Sequence, residues 1–296
     1  MGGGGDVVGA LATAEFARIY DGAEPILGGL AWERRPIDPV PGPRTSEEIE
    51  NARELAPGVL LAGAETRVRE RGVLFAESRM AGYLGQPTLL LTLEGGPAKV
   101  ADGLRRASEE LGADAFVFID VGGDVLAQGD EPGLRSPLCD AVTLASADRL
   151  SRQGEIVVVG IFGTGCDAEL TPAEVLGRLA TVAAAGGLCG VRGLTEDVAV
   201  RLEGAIEVIP TEASAQAVRA FRGDSGPVTI RGGTRTLELS PVAACTFYLD
   251  PQTTVAVCGR LARAVAQATD LEQASQALNE IGVRTELDLE RDAARA

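Results

Sequence analysis

Histidine is absent from the chain, and Lys99 is its only lysine. The first absence excludes Ser-His-Asp and Cys-His catalysis and every histidine-ligated metal site. The second leaves Lys99 as the sole residue for a Schiff base or a lysine–phosphate contact. Cysteine is sparse as well. Cys139, Cys166, Cys189, Cys245 and Cys258 are odd in number, widely spaced and without a Cys-x-x-Cys pair, so they suggest neither a disulfide frame nor a zinc site. No apolar run approaches the ~20 residues that span a bilayer. No charged leader with an apolar stretch opens the sequence, which therefore reads as cytoplasmic.

What is present is acid. The 296 residues carry 43 Asp and Glu against 27 Lys and Arg, a formal net charge of -16. That balance argues against nucleic acid, which needs clustered basic side chains, and against anionic membrane surfaces. Hydrophobic residues make up 45% of the chain, enough for a sizeable core. Any chemistry must come from carboxylates, hydroxyls, Cys, Arg, backbone amides or an oxygen-liganded metal.

Along the chain, short apolar runs alternate with amphipathic segments. Gly2 to Gly5 and Asp6 lead into a helix carrying Ala14, Phe16 and Ile19. A glycine-rich turn of this kind normally follows a buried strand, so either the sheet lacks its first strand before Gly2 or the true start lies upstream. Pro25 to Trp32 suits a strand, and the prolines between Arg35 and Arg44 exclude helix there. Ser46-Glu47-Glu48-Ile49 resembles a helix start. Thr88–Leu93, Ala115–Val121 and Glu155–Phe162 read as buried strands. Thr171-Pro172-Ala173-Glu174 opens a helix with a capping residue and a first-position proline. Val228 to Leu239 reads as a hairpin around Gly232-Gly233, and Cys245–Leu249 adds a short strand. Val257 to Ala277 reads as a terminal helix broken at Thr269-Asp270, with frayed residues beyond Asp288. The expected fold is α/β: a single domain over 1–296, a Rossmann-like three-layer sandwich with a mostly parallel sheet, and a small antiparallel β-hairpin annex at 222–250. The hairpin edge would let a homo-oligomer form.

In an open parallel sheet, ligands bind at the carboxyl ends of the strands. Glycine and acid concentrate in the loops expected there: Gly3, Gly4, Gly5 and Asp6; Gly95 and Gly96; Asp120, Gly122, Gly123 and Asp124; and Gly163, Thr164, Gly165, Asp167 and Glu169. Glycines let backbone amides converge on an anion, and acids beside them call for a bridging cation. Asp120, Asp124, Asp167 and Glu169 are the candidate catalytic carboxylates, with Asp120 and Asp124 as metal ligands. The glycines, with Asp6, Glu131, Ser136 and Thr164, are candidate substrate contacts. So are Asp38 and Arg44 of the proline loop, where an arginine could clamp an anion. Glu196 and Asp197 read first as a helix N-terminal turn, and Cys166 has no adjacent base to make it a nucleophile. Neither a Walker A motif nor a complete Gly-x-Gly-x-x-Gly is present, since Ala168 stands where the third glycine after Gly163 and Gly165 would be.

Four blocks together resemble the domain-of-unknown-function family 1152 of archaea and actinobacteria. They are Gly2–Ala10, Trp32-Glu33-Arg34 with Ile37–Arg44, Phe118–Ala127, and Gly163–Leu170. The resemblance covers nearly the whole chain and implies a fold and a site location but no activity. The Asp120–Asp124 segment is also similar to the D-glutamate cyclase type of domain, in which an acidic Gly-Gly loop serves a small carboxylate-bearing substrate. The expected function is an enzyme acting on a small polar metabolite, phosphorylated or a nucleotide, with Mg²⁺ held by strand-end carboxylates. The alternatives are a metal-independent lyase or cyclase and a non-catalytic ligand-binding module.

Overall fold

The computed structural model describes residues 1–295, with 47% helix and 21% strand. Gly28–Leu30 (β1), Ile49–Ala56 (β2), Val59–Val68 (β3) and Thr88–Leu91 (β4) form one sheet in the order β1-β4-β3-β2. Ala115–Val121 (β5), Ile156–Phe162 (β6) and Leu188–Gly193 (β7) belong to a second. Gly226–Ile230 (β8) and Arg235–Leu239 (β9) pair only with each other, and Cys245–Leu249 (β10) completes the second sheet in the order β5-β6-β10-β7.

The expectation of one mostly parallel sheet is therefore corrected. Among the named strands, only β1–β4 and β5–β6 pair in parallel, and every other pairing is antiparallel. One reason is local: Pro57-Gly58 joins β2 to β3 in two residues, far too few for a parallel crossover. The Ser46–Glu48 helix start is also corrected. Thr45 and Glu48 form a capping box, but it closes a single 3₁₀ turn, because Ile49 is already extended and pairs with Val68 of β3. The annex is narrower than expected, since β10 sits between β6 and β7 in the second sheet. The strand expected over Pro25–Trp32 shrinks to three residues.

Helices cover both faces of the second sheet. On one face Val157, Val159 and Ile161 of β6 join a cluster with Gly96–Leu111 (α3) and Pro137–Arg152 (α4). On the other, Ile119, Val121 and Phe162 pack against Asp6–Phe16 (α1), Ala76–Leu84 (α2), Glu196–Val208 (α6) and Ala213–Phe221 (α7). Pro172–Ala184 (α5) follows β6, with Thr171 as its cap and Pro172 at its first position as expected, and Glu174 completes a capping box. Residues 1–3 run between the two sheets: Gly3 bridges Leu30 in parallel, and the Met1 amine donates to the Ile119 carbonyl. A single-residue bridge at Gly3 thus stands at the first glycine turn. No helix among the described residues is long and apolar enough to cross a membrane.

The C-terminal region is four helices, not one broken helix with a frayed tail: Pro251–Val257 (α8), Arg260–Val265 (α9), Leu271–Glu280 (α10) and Glu286–Arg295 (α11). Gly259 separates the first two, and Asp270 caps α10 through the Gln273 amide at 2.8 Å. Helix α11 is docked through two carboxylates. Glu286 accepts from the Leu138 and Cys139 amides at 2.8 and 2.9 Å, capping α4 from outside its own segment. Glu290 accepts from the Trp32 indole at 3.0 Å and from the Gly42 amide at 2.8 Å. Glu290→Ala strands the indole N–H of a fully buried tryptophan, so a loss of about 1–3 kcal/mol is expected in urea unfolding. An unchanged midpoint would mean that α11 is not docked this way.

Candidate functional site

Two loops leave the parallel pair β5–β6 side by side, because Val121 and Phe162 are paired at its end. They knit directly: the Gly122 amide donates to the Phe162 carbonyl at 2.9 Å, and the Gly165 amide to the Gly122 carbonyl at 2.7 Å. The first loop carries Asp120 and Asp124, and the second carries Asp167 and Glu169. The first turn of α4 adds Asp140. All five carboxyls are buried.

They form two overlapping triads. One oxygen from each of Asp120, Asp124 and Asp140 lies within 4.8 Å of the other two, and the same holds for Asp124, Asp167 and Glu169. Asp124 belongs to both. The backbone is bent to achieve this. Gly122 sits at φ +126°, and a Cβ there would stand 2.3 Å from the Asp167 carboxyl carbon. Its lack of a side chain makes room for that carboxylate. Between Asp167 and Glu169, Ala168 holds φ +59°, a left-handed conformation costly for an L-residue.

Crowding acids out of water shifts their proton affinity. Burial, reinforced by the negative field of Asp6, pushes Asp120 up to about 7. Burial likewise drives Asp124, Asp140 and Asp167 well above the usual carboxylate range, with the neighbouring acids adding to each. Two of the oxygens, Asp120 Oδ2 and Asp140 Oδ1, are shielded from solvent and accept no hydrogen bond. Donors made only of oxygen suit a hard divalent cation such as Mg²⁺, Mn²⁺ or Ca²⁺.

The acids open on a cavity of about 380 Å³, within the size range of small-molecule pockets. Asp6, Asp124, Asp140, Asp167 and Glu169 line it, and so do Arg34, Arg135, Arg231 and Arg235. Arg231 lies in the turn of the β8–β9 hairpin and Arg235 opens β9. Arg34 lies 4.1 Å over the Trp32 ring and pairs with Glu286 and Glu290 of α11, each at 3.4 Å.

The family profile described as "Protein of unknown function (DUF1152)" matches residues 1–294. The chain belongs to the DUF1152 family. No curated protein and no solved structure matches it.

In this DUF1152 chain the candidate residues separate clearly. Asp6, Gly3, Ser136, Asp124, Asp167 and Glu169 line the cavity, and Asp120 joins them through its triad. The other candidates serve the scaffold. Glu131 accepts from the Gln128 and Gly129 amides and pairs with Arg178 at 3.4 Å, pinning its own loop. Arg44 is buried against Asp38 at 3.4 Å, with Glu48 and the Val40 and Pro41 carbonyls taking its other donors. Gly4 and Gly5 turn the chain into α1, where Gly5 packs on Thr211. Gly95 and Gly96 open α3, and Gly96 abuts the Ala268 carbonyl. Gly123 packs on Val175, Gly163 and Gly165 adopt φ +68° and +74°, and Thr164 is buried between them. None of these lines the cavity. Cys166 is buried, and burial pushes its thiol up, which removes it as a nucleophile.

Asp140, Arg34, Arg231, Arg235, Glu286 and Glu290 were missing from the sequence-based candidate set. Asp140 had a local signal, as the sole acid in the first turn of a proline-started helix. The others arrive from distant segments.

Ala168→Gly relieves the left-handed backbone, so a gain of about 1 kcal/mol is expected in chemical unfolding. A loss would show that the methyl group matters more than the strain. Metal-free protein should lose thermal stability as pH rises from about 5 to about 7. Asp120, raised to about 7, holds its proton in the folded chain and not in the unfolded one over much of that range, so stability falls as pH rises towards that value. A melting temperature that rises across this interval would contradict the assigned burial.

Proposed function

We propose that the chain is a divalent-cation-dependent enzyme acting on a small anionic metabolite, phosphorylated or a nucleotide. The observation that carries the reading is the sharing of Asp124 between two buried carboxylate triads on a cavity also lined by four arginines. Buried charges of one sign are expensive unless paired, and a cation pairs them where the chain offers no lysine or histidine. Asp120, Asp124, Asp140, Asp167 and Glu169 hold the cation, for which Mg²⁺ is the proposed occupant. When bound, it supplies charge stabilisation at a phosphoryl or carboxyl oxygen. Arg231 and Arg235 of the hairpin receive the outer oxygens of the substrate as bidentate donors. Asp6 faces the cavity outside both triads, and burial raises its proton affinity, so it is the group placed to carry a proton.

A Rossmann-like three-layer arrangement and a cytoplasmic location are part of the same proposal. Apolar clusters on both faces of the second sheet support the first, as does the position of the acids at the carboxyl ends of a parallel pair.

The test is thermal shift of chelator-stripped protein against nucleotides, sugar phosphates and carboxylic acids, with and without Mg²⁺ or Mn²⁺. Anionic ligands should stabilise only when the cation is present, by about 2.7 kcal/mol at a hundredfold excess over the dissociation constant. Asp124→Asn should abolish the cation-dependent part, and Arg235→Ala only the anion-dependent part. Stabilisation by carboxylic acids alone, unaffected by chelator, would overturn the reading in favour of the metal-independent lyase or cyclase.

A further inference from the structure

We infer that the two triads are cation sites of unequal affinity: a tight one at Asp120, Asp124 and Asp140, and a weak one at Asp124, Asp167 and Glu169 that fills together with the anionic substrate. This rests on the cation dependence proposed above. The asymmetry lies in what already occupies the carboxylate oxygens.

In the first triad almost nothing does. Asp120 is 1% exposed and Asp140 3% exposed, and Asp120 Oδ2 and Asp140 Oδ1 have no hydrogen-bond partner. Among the described residues, no arginine forms an ion pair with Asp120, Asp124 or Asp140. The donors that reach this triad are the Gly123 amide beside Asp120 and the Ser136 hydroxyl, a long 3.4 Å from Asp124 Oδ2. Desolvated acceptors with no protein donor leave their full attraction to an incoming cation.

The second triad is already served. Glu169 Oε2 accepts from the Arg135 and Ser136 amides at 2.6 and 2.9 Å, and Oε1 accepts from the Ser136 hydroxyl at 2.8 Å. Arg235 faces the same Oε1 at 3.4 Å, and Asp167 Oδ1 accepts from the Glu169 amide at 3.1 Å. A cation entering here shares those lone pairs, competes with a guanidinium, and meets the field of an ion already held through Asp124. An anionic substrate changes all three terms. It draws Arg235 off Glu169, contributes an oxygen ligand of its own, and screens one ion from the other. The second cation and a phosphate-like group therefore bind as a unit, with Arg235 as the residue exchanged between them.

The experiment is Mn²⁺ titration of the chelator-stripped full chain, followed by calorimetry and by the electron paramagnetic resonance of free Mn²⁺, with inorganic phosphate as the probe anion. Two classes of site are expected, at least tenfold apart, and phosphate should tighten only the weaker. Asp140→Asn should remove the tight class, and Asp120→Asn does the same if the first variant fails to fold. Glu169→Gln should leave the tight class intact. Arg235→Gln should strengthen the weak class without phosphate and cancel the phosphate effect, which a merely structural arginine would not do. A single ion per chain, two equal classes, or equal damage from Asp140→Asn and Glu169→Gln would overturn the inequality while leaving cation dependence standing. No Mn²⁺ binding by folded protein would overturn both.

Discussion

Like charges forced together in a dry place set the terms for this molecule. Five carboxyls meet around Asp124 with no lysine or histidine to neutralise them. Among the described residues, the one salt bridge to a triad is Arg235 against Glu169 at 3.4 Å. Replacing buried ionic groups by apolar ones of similar volume is often neutral or stabilising. A chain selected for stability alone would not gather them, so their grouping marks a stability–function compromise. The cost spreads outward. Glu77 is buried beside Glu33, and burial, with Glu33's charge adding, raises it well above the ordinary range; Asp6 contributes to the same field. These acids must hold protons or meet a cation.

The rest of the fold can be understood as what is needed to tolerate that cluster. The loops after β5 and β6 lie side by side only because those two strands run in parallel, and their glycines lock one loop to the other. Long as the stretch from Val121 to Leu138 is, it is not mobile in character: Val125, Leu126 and Ala127 are buried in the main core, and Glu131 ties down the backbone at Gln128 and Gly129. Asp124 is thus presented by packed residues on both sides. Helix α11 closes the arrangement. Glu286 takes up the free amides at the start of α4, the helix that carries Asp140, and Glu290 holds Trp32, beneath the cavity-lining Arg34. A site assembled from so many segments is pre-organised by their packing rather than by any single motif.

Part of this was readable from sequence, for a definite reason. An apolar run that gives way to glycines with acids beside them, as at Val117–Asp124 and Ile156–Glu169, says both where a strand stops and what stands at its end. Asp120, Asp124, Asp167 and Glu169 were found that way. The proline loop misled because Arg44 and Asp38 have the same composition whether they face a ligand or each other, and the fold made them partners. The β2–β3 hairpin hid behind a genuine capping box whose helix never continued. β7 hid because Leu188–Gly193 is exposed along most of its length and shows no buried face. Arg34, Arg235 and Glu286 were out of reach altogether, since their roles depend on contacts across 66 residues or more.

The glycines carry the last lesson, because the same residues support two different chemistries. Read as a phosphate cradle, Gly122, Gly163 and Gly165 would turn their amides towards an anion. The Gly122 and Gly165 amides instead donate to backbone carbonyls of the neighbouring strand end and loop, and the missing Cβ of Gly122 is filled by the Asp167 carboxyl. Glycine here is a spacer that admits negative charge. An anion brought directly to these loops would face five carboxyls and find its donors only in the arginines around them. With a cation among them and the hairpin arginines opposite, the same anion meets positive charge on two sides. The glycine-rich, acid-rich composition of the loops therefore favours a cation-mediated contact with substrate over a direct one.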